Sequence, residues 1–426
     1  MQTISVENLD YQSLLRPSES LVIGQACAEP LTLVEALVTQ RASLSNPQVF
    51  LGASFAGILQ PAHADHLRFQ SFGALGTNRQ LARAGVLGLI PCHVARIGPY
   101  FTQGTLPCDV LLVQLGPQNA DGTYGFGVTA DYIRAAADKA RVVIAEINDQ
   151  APRTSGHRGL REDEIDIAIH TSRPLPTVPA ASPTPADIAI AHNAAAFIND
   201  EAVLQIGIGA TPDAILRALA GHRDLGFHSG MMSDGVVDLI NAGAITNAFK
   251  PVDPGVCVTG ALIGTEKLYH FAHDNPAIAL RDSGYTHGDQ ILCQLETLVT
   301  INSAIEVDLT GQVNAEQIGN DYLGGVGGQA DFVRAGHRAA KGHAIIALPS
   351  SARGGISRIV PSLASGVSTS RTDIDVVVTE YGAAQLRGCT LAERAKRMIA
   401  VAHPDQREAL SRAAHGLMRQ GFPVSS

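Results

Sequence analysis

The chain has 426 residues, of which 45% are apolar and 17% are charged. This balance is typical of a globular protein with little disorder, and the length predicts two domains of about 200 residues each. The formal net charge of −9 argues against nonspecific nucleic-acid binding, which needs a basic face. A polyanionic small molecule is not excluded, because backbone amides and a few basic side chains can hold its phosphates.

The cysteines and the N-terminus indicate the compartment. The cysteines are scattered without a C-x-x-C pair, which argues against a zinc knuckle or a disulfide scaffold. The N-terminus lacks the basic and apolar regions of a signal peptide, and no run approaches the roughly 18 apolar residues of a membrane helix. His63 and His66 have metal-ligand spacing without an evident third ligand, so no metal is expected. We expect a cytoplasmic protein with reduced cysteines and no membrane partner; the cysteines are Cys27, Cys92, Cys108, Cys257, Cys293 and Cys389.

Short apolar runs alternate with helical patterns along the first half of the chain. Residues 30–41 predict a helix with an apolar face. Continuous apolar runs suit the strands of a parallel sheet that is covered on both faces. Strands that alternate with helices imply right-handed βαβ units and therefore an α/β fold. The predicted strands are residues 21–24, 49–52, 86–90, 110–114 and 142–146.

A proline-rich segment then separates this pattern from a second one. Residues 173–186 carry five prolines, which fits an extended linker between domains. We therefore predict two tandem open-sheet α/β domains, residues 1–175 and residues 186–426. In the second domain we expect helices at 187–199 and 391–402 and strands at 202–206, 344–348 and 376–379.

The strand at 202–206 leads into a glycine turn, Gly207-Ile208-Gly209. Thr211 and Pro212 then predict a helix N-cap and the first helical residue. Such a turn places unpaired amides at a helix N-terminus, which is a site for an anion or an oxyanion. A dinucleotide-binding dehydrogenase is not supported, because proline stands where the Rossmann pattern needs its third glycine.

Two further segments carry the strongest signal. Residues 225–239 read Leu-Gly-Phe-His-Ser-Gly-Met-Met-Ser-Asp-Gly-Val-Val-Asp-Leu, and residues 323–332 read Leu-Gly-Gly-Val-Gly-Gly-Gln-Ala-Asp-Phe. Together with residues 301–312, 347–361 and 378–388, they resemble the acetyl-CoA hydrolase/transferase family, which includes 4-hydroxybutyrate CoA-transferase. The resemblance covers nearly the whole chain. It implies CoA-transferase-type domains, an acyl-CoA substrate with coenzyme A as its carrier, a small carboxylic acid as second substrate, and a homodimer.

The resemblance also assigns roles to the glycine segments. It implies that amides around Gly327 and Gly328 face those of the Ile208 turn and polarise a thioester carbonyl, which is typically worth a few kcal/mol per donor. A contact with CoA phosphates and a helix cap are equal alternatives for Arg353. The residues expected to bind CoA or the oxyanion are Gly207, Ile208, Gly209, Gly324, Gly325, Gly327, Gly328, Gln329 and Arg353.

The sequence departs from the family at the residue that defines the chemistry. The family pattern reads His-Thr-Glu-Met-x-Ser-Asp-Gly, and its Glu is the covalent nucleophile of a ping-pong reaction. Here Gly230 occupies that position and Ser229 replaces the Thr. Gly230 has no carboxyl group with which to form an acyl anhydride or a CoA thioester. The remaining candidates for catalysis are His228, Ser229, Glu146, Glu306 and Asp234.

Three functions are compatible with this departure. In the first, the protein still transfers CoA or hydrolyses the thioester, with another group in place of the Glu. In the second, it carries out decarboxylation or carbon–carbon bond chemistry, since the missing side chain leaves room for a larger acyl group. In the third, it binds acyl-CoA without turnover. A glycine introduced to trap a complex is a further alternative, against which Ser229 argues. CoA transfer is the best single description.

Overall fold

The computed structural model describes residues 1–419, and its first half is built around one sheet. Every neighbouring pair of strands in this sheet is parallel. In chain order the strands are β1 (Gln2–Thr3), β2 (Ser20–Ile23), β3 (Gln48–Leu51), β4 (Arg68–Ser71), β5 (Leu87–Leu89), β6 (Val110–Leu115), β7 (Val142–Asn148) and β8 (Ile167–Thr171). They lie side by side in the order β1-β8-β7-β6-β2-β3-β4-β5.

Both faces of this sheet are buried, which explains the continuous apolar runs. Leu111 and Val113 of β6 pack into one core, whereas Val110 and Leu112 pack into another. Because successive side chains of a strand point to opposite faces, a strand covered on both sides has to be apolar throughout. The helices of this half are α1 (Tyr11–Leu14), α2 (Leu31–Gln40), α3 (Asn78–Arg83), α4 (Val94–Thr102) and α5 (Ile133–Ala137).

The second half carries a second α/β sheet with smaller sheets around it. Its strands are β9 (Val203–Ile206), β10 (Gly226–Phe227), β11 (Met231–Met232), β12 (Cys257–Thr259), β13 (Ala261–Leu262), β14 (Ile278–Leu280), β15 (Leu298–Asn302), β16 (Glu306–Asp308), β17 (Val313–Asn314), β18 (Gln317–Ile318), β19 (Asp321–Tyr322), β20 (His343–Ala347), β21 (Ile359–Val360), β22 (Val376–Thr379) and β23 (Gly382–Gln385). The larger sheet has the order β10-β9-β15-β20-β22-β23, and only the β22–β23 pair is antiparallel.

Some helices of the second half pack against this sheet, whereas others contact neighbouring helices. They are α6 (Pro185–Ala195), α7 (Ala210–Ala218), α8 (Asp234–Asn241), α9 (Glu266–Ala272), α10 (Ser283–Thr286), α11 (Asp289–Leu292), α12 (Gln329–Arg338), α13 (Leu391–Val401) and α14 (Pro404–Arg419). Within residues 1–419, no helix is long and apolar enough to cross a membrane.

Each sheet contains one point at which the strand order reverses. In the first sheet the chain runs outward from β2 through β5, then returns to place β6 on the other side of β2. In the second sheet β10 lies on one side of β9 and β15 lies on the other. Ligands of open α/β sheets bind at such switch points, beyond the carboxyl ends of the strands.

The two halves are packed tightly against each other. Backbone hydrogen bonds cross between them from Val94 N to Gly327 O, from Ala130 N to Gly260 O and from Leu262 N to Val128 O, at 2.7–3.0 Å. Gly73 and Gly325 also meet closely, because a β-carbon on Gly325 would lie 3.0 Å from the Cα of Gly73. The loop that contains residues 323–328 therefore forms part of the interface between the halves.

The predicted α/β class with two tandem open sheets is confirmed. The predicted strands recur within about two residues, and the proline-rich segment forms neither helix nor strand from residue 172 to residue 184. The domain limits at 175 and 186 remain a prediction. The predicted N-cap at Thr211 is wrong: Gly209, with φ +125°, is the N-cap and α7 begins at Ala210. The Thr211 hydroxyl instead donates a hydrogen bond to the Asp187 carboxylate on α6.

Candidate active site

The switch points of the two sheets open onto one cavity of about 200 Å³ between the halves. Gln25 and Ala26 reach it from the end of β2, while Gly207 and Asn302 reach it from the ends of β9 and β15. Its walls are mainly apolar and aromatic with a few polar groups, as is usual for a small-molecule site. Other lining residues are Phe72, Leu75, Val94, Ile97, Asp131, Tyr132, Gln205, Ser229, Gly230, Met231, His287, Gly327, Gly328, Gln329 and Phe332.

The imidazole of His287 occupies the space that a side chain at residue 230 would need. A β-carbon added to Gly230 would lie 2.6 Å from Cε1 and 2.7 Å from Nε2 of His287. A β-carbon on Gly328 would also clash with this ring. Neither glycine has a left-handed backbone that would demand glycine. What these two glycines provide is therefore room for His287.

One tautomer of His287 satisfies both contacts of the Thr286 hydroxyl as hydrogen bonds. The Thr286 hydroxyl lies 3.2 Å from the Asp282 carbonyl oxygen and 2.8 Å from Nδ1 of His287. A carbonyl can only accept, so the single hydroxyl proton goes to Asp282 and Nδ1–H of His287 donates to the hydroxyl. Nε2 then carries the lone pair, next to Gly230 and Gly328. Burial and, to a smaller extent, nearby His228 lower the pKa of His287 to about 3.

His228 lies behind this arrangement and does not line the cavity. It is fully buried, and its Nε2–H donates to the carbonyl oxygen of Thr286 at 3.0 Å. Burial lowers the pKa of His228 to about 4, so the ring is neutral near pH 7. Because it holds the residue before His287, the structure gives His228 the contacts of a positioning group.

The hydroxyl of Ser229 is already engaged. It donates to the carbonyl oxygen of Ile206 at 3.1 Å, and the side chain is fully buried. Ser229 lines the cavity, but this hydrogen bond ties its hydroxyl to the end of β9. The contacts are those of a residue that anchors the Gly230 loop onto the second sheet.

Asp131 and Gln25 are the polar groups of the first half at the cavity. Asp131 is 7% exposed, and its carboxylate accepts a hydrogen bond from the side-chain amide of Gln25. Burial raises the pKa of Asp131 to about 7, although the bond from Gln25 lowers it and nearby Asp282 raises it. Near neutral pH this carboxyl group therefore exists in both protonation states.

The expected glycine turn after β9 is divided between two cavities. Gly207 lines the cavity beside His287, but its amide donates to the Ile301 carbonyl oxygen at 3.3 Å and so is not free. Ile208 and Gly209 line a neighbouring cavity instead, together with Asp234. Both carboxylate oxygens of Asp234 lie 3.2 Å from the amide nitrogen of Thr265, which donates to them.

Residues of the second glycine loop, 323–328, also differ in whether they line the cavity. Gly327, Gly328 and Gln329 line the cavity, and Gly328 is the N-cap of α12. Gly324 and Gly325 pack against the backbone of the first half and do not line it. Arg353, the remaining expected CoA-binding residue, is exposed in a loop between β20 and β21 and is not a lining residue either.

The two glutamates predicted as candidates lie away from the cavity. The Glu146 carboxylate is fully buried and accepts from the Thr32 amide at 2.8 Å, from the Thr32 hydroxyl at 2.9 Å and from the Thr171 hydroxyl at 3.1 Å. These contacts cap the start of α2. The half-buried Glu306 carboxylate accepts from the Asn314 side chain at 3.0 Å. Neither residue lines the cavity.

Matches to a known family cover both halves. Residues 6–179 match the acetyl-CoA hydrolase/transferase N-terminal domain, and residues 264–414 match the C-terminal domain of the same family. The chain belongs to the acetyl-CoA hydrolase/transferase family. It is therefore an enzyme of this family, as the sequence predicted. The loop with Gly230 lies between the two matched ranges.

Individual relatives and solved structures agree with this assignment. The chain is 39% identical over 401 residues to 4-hydroxybutyrate coenzyme A transferase of Clostridium kluyveri, which covers 92% of each chain. It is similar to the crystal structure of RipA from Yersinia pestis, with a TM-score of 0.91, 31% identity and 97% of each chain covered. It is also similar to 4-hydroxybutyrate CoA-transferase from Porphyromonas gingivalis, with a TM-score of 0.81, 34% identity and 98% of each chain covered.

Sequence reasoning missed His287, Asp131 and Gln25. His287 follows a four-residue helix, and Asp131 and Gln25 lie outside the helices and strands, so none belongs to a periodic pattern. Their proximity comes from three separate parts of the chain. The glycine at residue 230 was interpreted as room for a larger acyl group, whereas in the structure the His287 ring lies against it.

We predict that a glutamate at residue 230 is tolerated only when His287 is shortened. Gly230→Glu should lower the free energy of unfolding by about 1–3 kcal/mol through overpacking. In Gly230→Glu/His287→Ala the loss should be smaller than the sum of the two single losses. Urea denaturation measures all three. Gly221→Glu is the control, because a β-carbon there would meet no heavy atom within 4 Å; simple additivity would contradict the steric account.

A second prediction concerns the pH dependence of stability. The folded pKa of Asp131, about 7, lies above the value of about 4 expected in the unfolded chain. The folded state then binds the extra proton, so this residue costs stability as pH rises through that interval. Asp131→Asn should raise the melting temperature more near pH 8 than near pH 5. The exposed control Asp149→Asn should show no such difference; equal shifts in both variants would refute the prediction.

A third prediction separates capping from catalysis for Glu146. Glu146→Ala leaves the buried amide of Thr32 without its acceptor, so we expect a loss of about 1–3 kcal/mol in the free energy of unfolding. The turnover number for thioester cleavage should stay near that of the wild type at a temperature where both are folded. Glu306→Ala, which loses one half-buried contact, is the matched comparison. Loss of turnover with unchanged stability would instead make Glu146 part of the reaction.

Proposed function

We propose that the protein cleaves a small acyl-CoA thioester in the cavity beside His287, with direct attack by the acceptor and no CoA adduct at residue 230. The observation that carries this proposal is that the His287 ring fills the volume a nucleophilic side chain at residue 230 would need. We take water as the acceptor, because without a carboxylate at residue 230 there is no enzyme group to carry CoA to a second acid, which makes thioester hydrolysis the leading reaction.

The lining of the cavity supports an acyl substrate. Phe72, Ile97 and Phe332 supply apolar walls that suit an acyl chain, while Gln25 and Asp131 offer hydrogen bonds. A volume of about 200 Å³ suits a short acyl group together with the thioester. The cavity also lies at the switch points of both sheets, where ligands of α/β proteins bind. We propose Gly207, Gly327, Gly328 and Gln329 as the contacts of the thioester end.

CoA transfer to a small carboxylic acid is the second candidate. It is supported by relatives that are named as CoA-transferases. Their names mention 4-hydroxybutyrate, succinyl-CoA and butyryl-CoA. Hydrolases also occur among them, as two acetyl-CoA hydrolases show by name. From the family resemblance we further propose a homodimer, which light scattering of the purified protein tests, and from the sequence we propose a cytoplasmic location.

A single set of assays tests the proposed function. The protein is incubated with acetyl-, butyryl-, succinyl- or 4-hydroxybutyryl-CoA, with and without acetate, and free thiol and exchanged CoA esters are both followed. We expect thiol release that does not require acetate and exceeds exchange. Exchange together with a borohydride-reducible enzyme–CoA thioester would establish covalent transfer instead. No reaction with any of these thioesters would overturn the proposal.

A further inference from the structure

We infer that His287 is the general base of this site and that its Nε2 takes the proton of the water that attacks the thioester carbonyl. This inference rests on the proposed function and names the residue that replaces the missing carboxylate. It assigns a catalytic role to an imidazole outside every glycine segment that the sequence singled out.

The imidazole of His287 is held in one position beside the cavity. His287 lines the cavity, and the side of the ring that bears Nε2 and Cε1 faces Gly230 and Gly328. The ring of Phe332 packs against it, with the two centroids 4.5 Å apart. Glycine on one side and an aromatic ring on another hold the imidazole in one orientation. Position is the first requirement of a general base; the low pKa of His287 makes Nε2 a weak base but keeps its lone pair unprotonated near pH 7.

A chain of hydrogen bonds supports the other side of the ring, at Nδ1. His228 donates a hydrogen bond to the Thr286 carbonyl oxygen. Nδ1–H of His287 donates to the Thr286 hydroxyl, which in turn donates to the Asp282 carbonyl oxygen. In the Nδ1–H tautomer, which satisfies both hydrogen bonds of the Thr286 hydroxyl, Nε2 is the proton acceptor. Among residues 1–419 no hydrogen bond from another protein group reaches Nε2. We therefore assign this lone pair to a water molecule in the cavity that His287 lines.

A donor for the oxyanion lies next to the same nitrogen. Gly328 is the N-cap of the ten-residue helix α12, and its amide donates to no acceptor within the described part of the chain. Amides at a helix N-terminus favour negative charge. The geometry thus brings a proton acceptor and an oxyanion donor together at one point, as acyl transfer to water requires.

The step balances without any further reagent. The oxygen of water forms a bond to the carbonyl carbon as its proton passes to Nε2 of His287, and the carbonyl electron pair moves onto the oxygen near Gly328. When the carbonyl re-forms, the carbon–sulfur bond breaks and its electron pair stays on sulfur. The imidazolium returns its proton to the thiolate. The products are the carboxylic acid and CoA thiol, and His287 is neutral again.

Chemical rescue tests this role. In His287→Ala we expect thiol release from the thioester that is best in the wild type to fall by about 10²–10⁴-fold. Free imidazole should restore part of the rate in a concentration-dependent way, since it can enter the volume that the side chain vacates. The dissociation constant of the acyl-CoA should change little. The exposed His192→Ala is the matched control and should neither lose activity nor respond to imidazole.

A second variant keeps the test decisive if His287→Ala does not fold. His287→Asn retains polarity and most of the packing but no basic nitrogen, so it should fold with the same loss of rate. A wild-type rate in either variant, or a loss without imidazole rescue in a folded His287→Ala, would overturn the role of His287. These outcomes are distinct from failure of the proposed function, in which the wild type itself releases no thiol.

Discussion

The close approach of one imidazole to two glycine Cα atoms is the constraint on which the site depends. His287 can stand where it does only because neither Gly230 nor Gly328 carries a β-carbon. A carboxylate at residue 230 and this position of His287 exclude each other, because they need the same volume. In this chain the volume of a side chain at residue 230 is occupied by a ring from a different segment.

The fold determines which segments can meet there. The strand order reverses once in each sheet. The two points of reversal lie on opposite sides of the cavity at the interface between the halves. The first half brings Gln25 and Asp131, and the second brings His287 and the N-terminus of α12. Hydrogen bonds across this interface, such as that from Val94 N to Gly327 O, hold the loop of residues 323–328 at the cavity. The polar groups of the site thus depend on how the halves pack.

Much of the fold was accessible from the sequence, because local patterns encode it. The apolar run of β6 predicted a strand buried on both faces, and the five prolines after β8 predicted the irregular segment between the sheets. Short polar strands such as β4, Arg68–Ser71, carry no such pattern and were missed. The site was less accessible. Glu146 looked like an acid–base candidate but caps α2, and His287 gave no signal, because contacts between residues distant in sequence decide both.

The central claim is that the acceptor attacks the thioester directly, with no enzyme carboxylate in between. A single turnover in ¹⁸O-labelled water, with enzyme in excess over acetyl-CoA or another thioester that the protein cleaves, tests this most directly. The account predicts that the released acid carries one oxygen from the solvent and that no peptide of the enzyme gains label. An unlabelled acid in that first turnover, with ¹⁸O in an aspartate or glutamate of the protein, would contradict it.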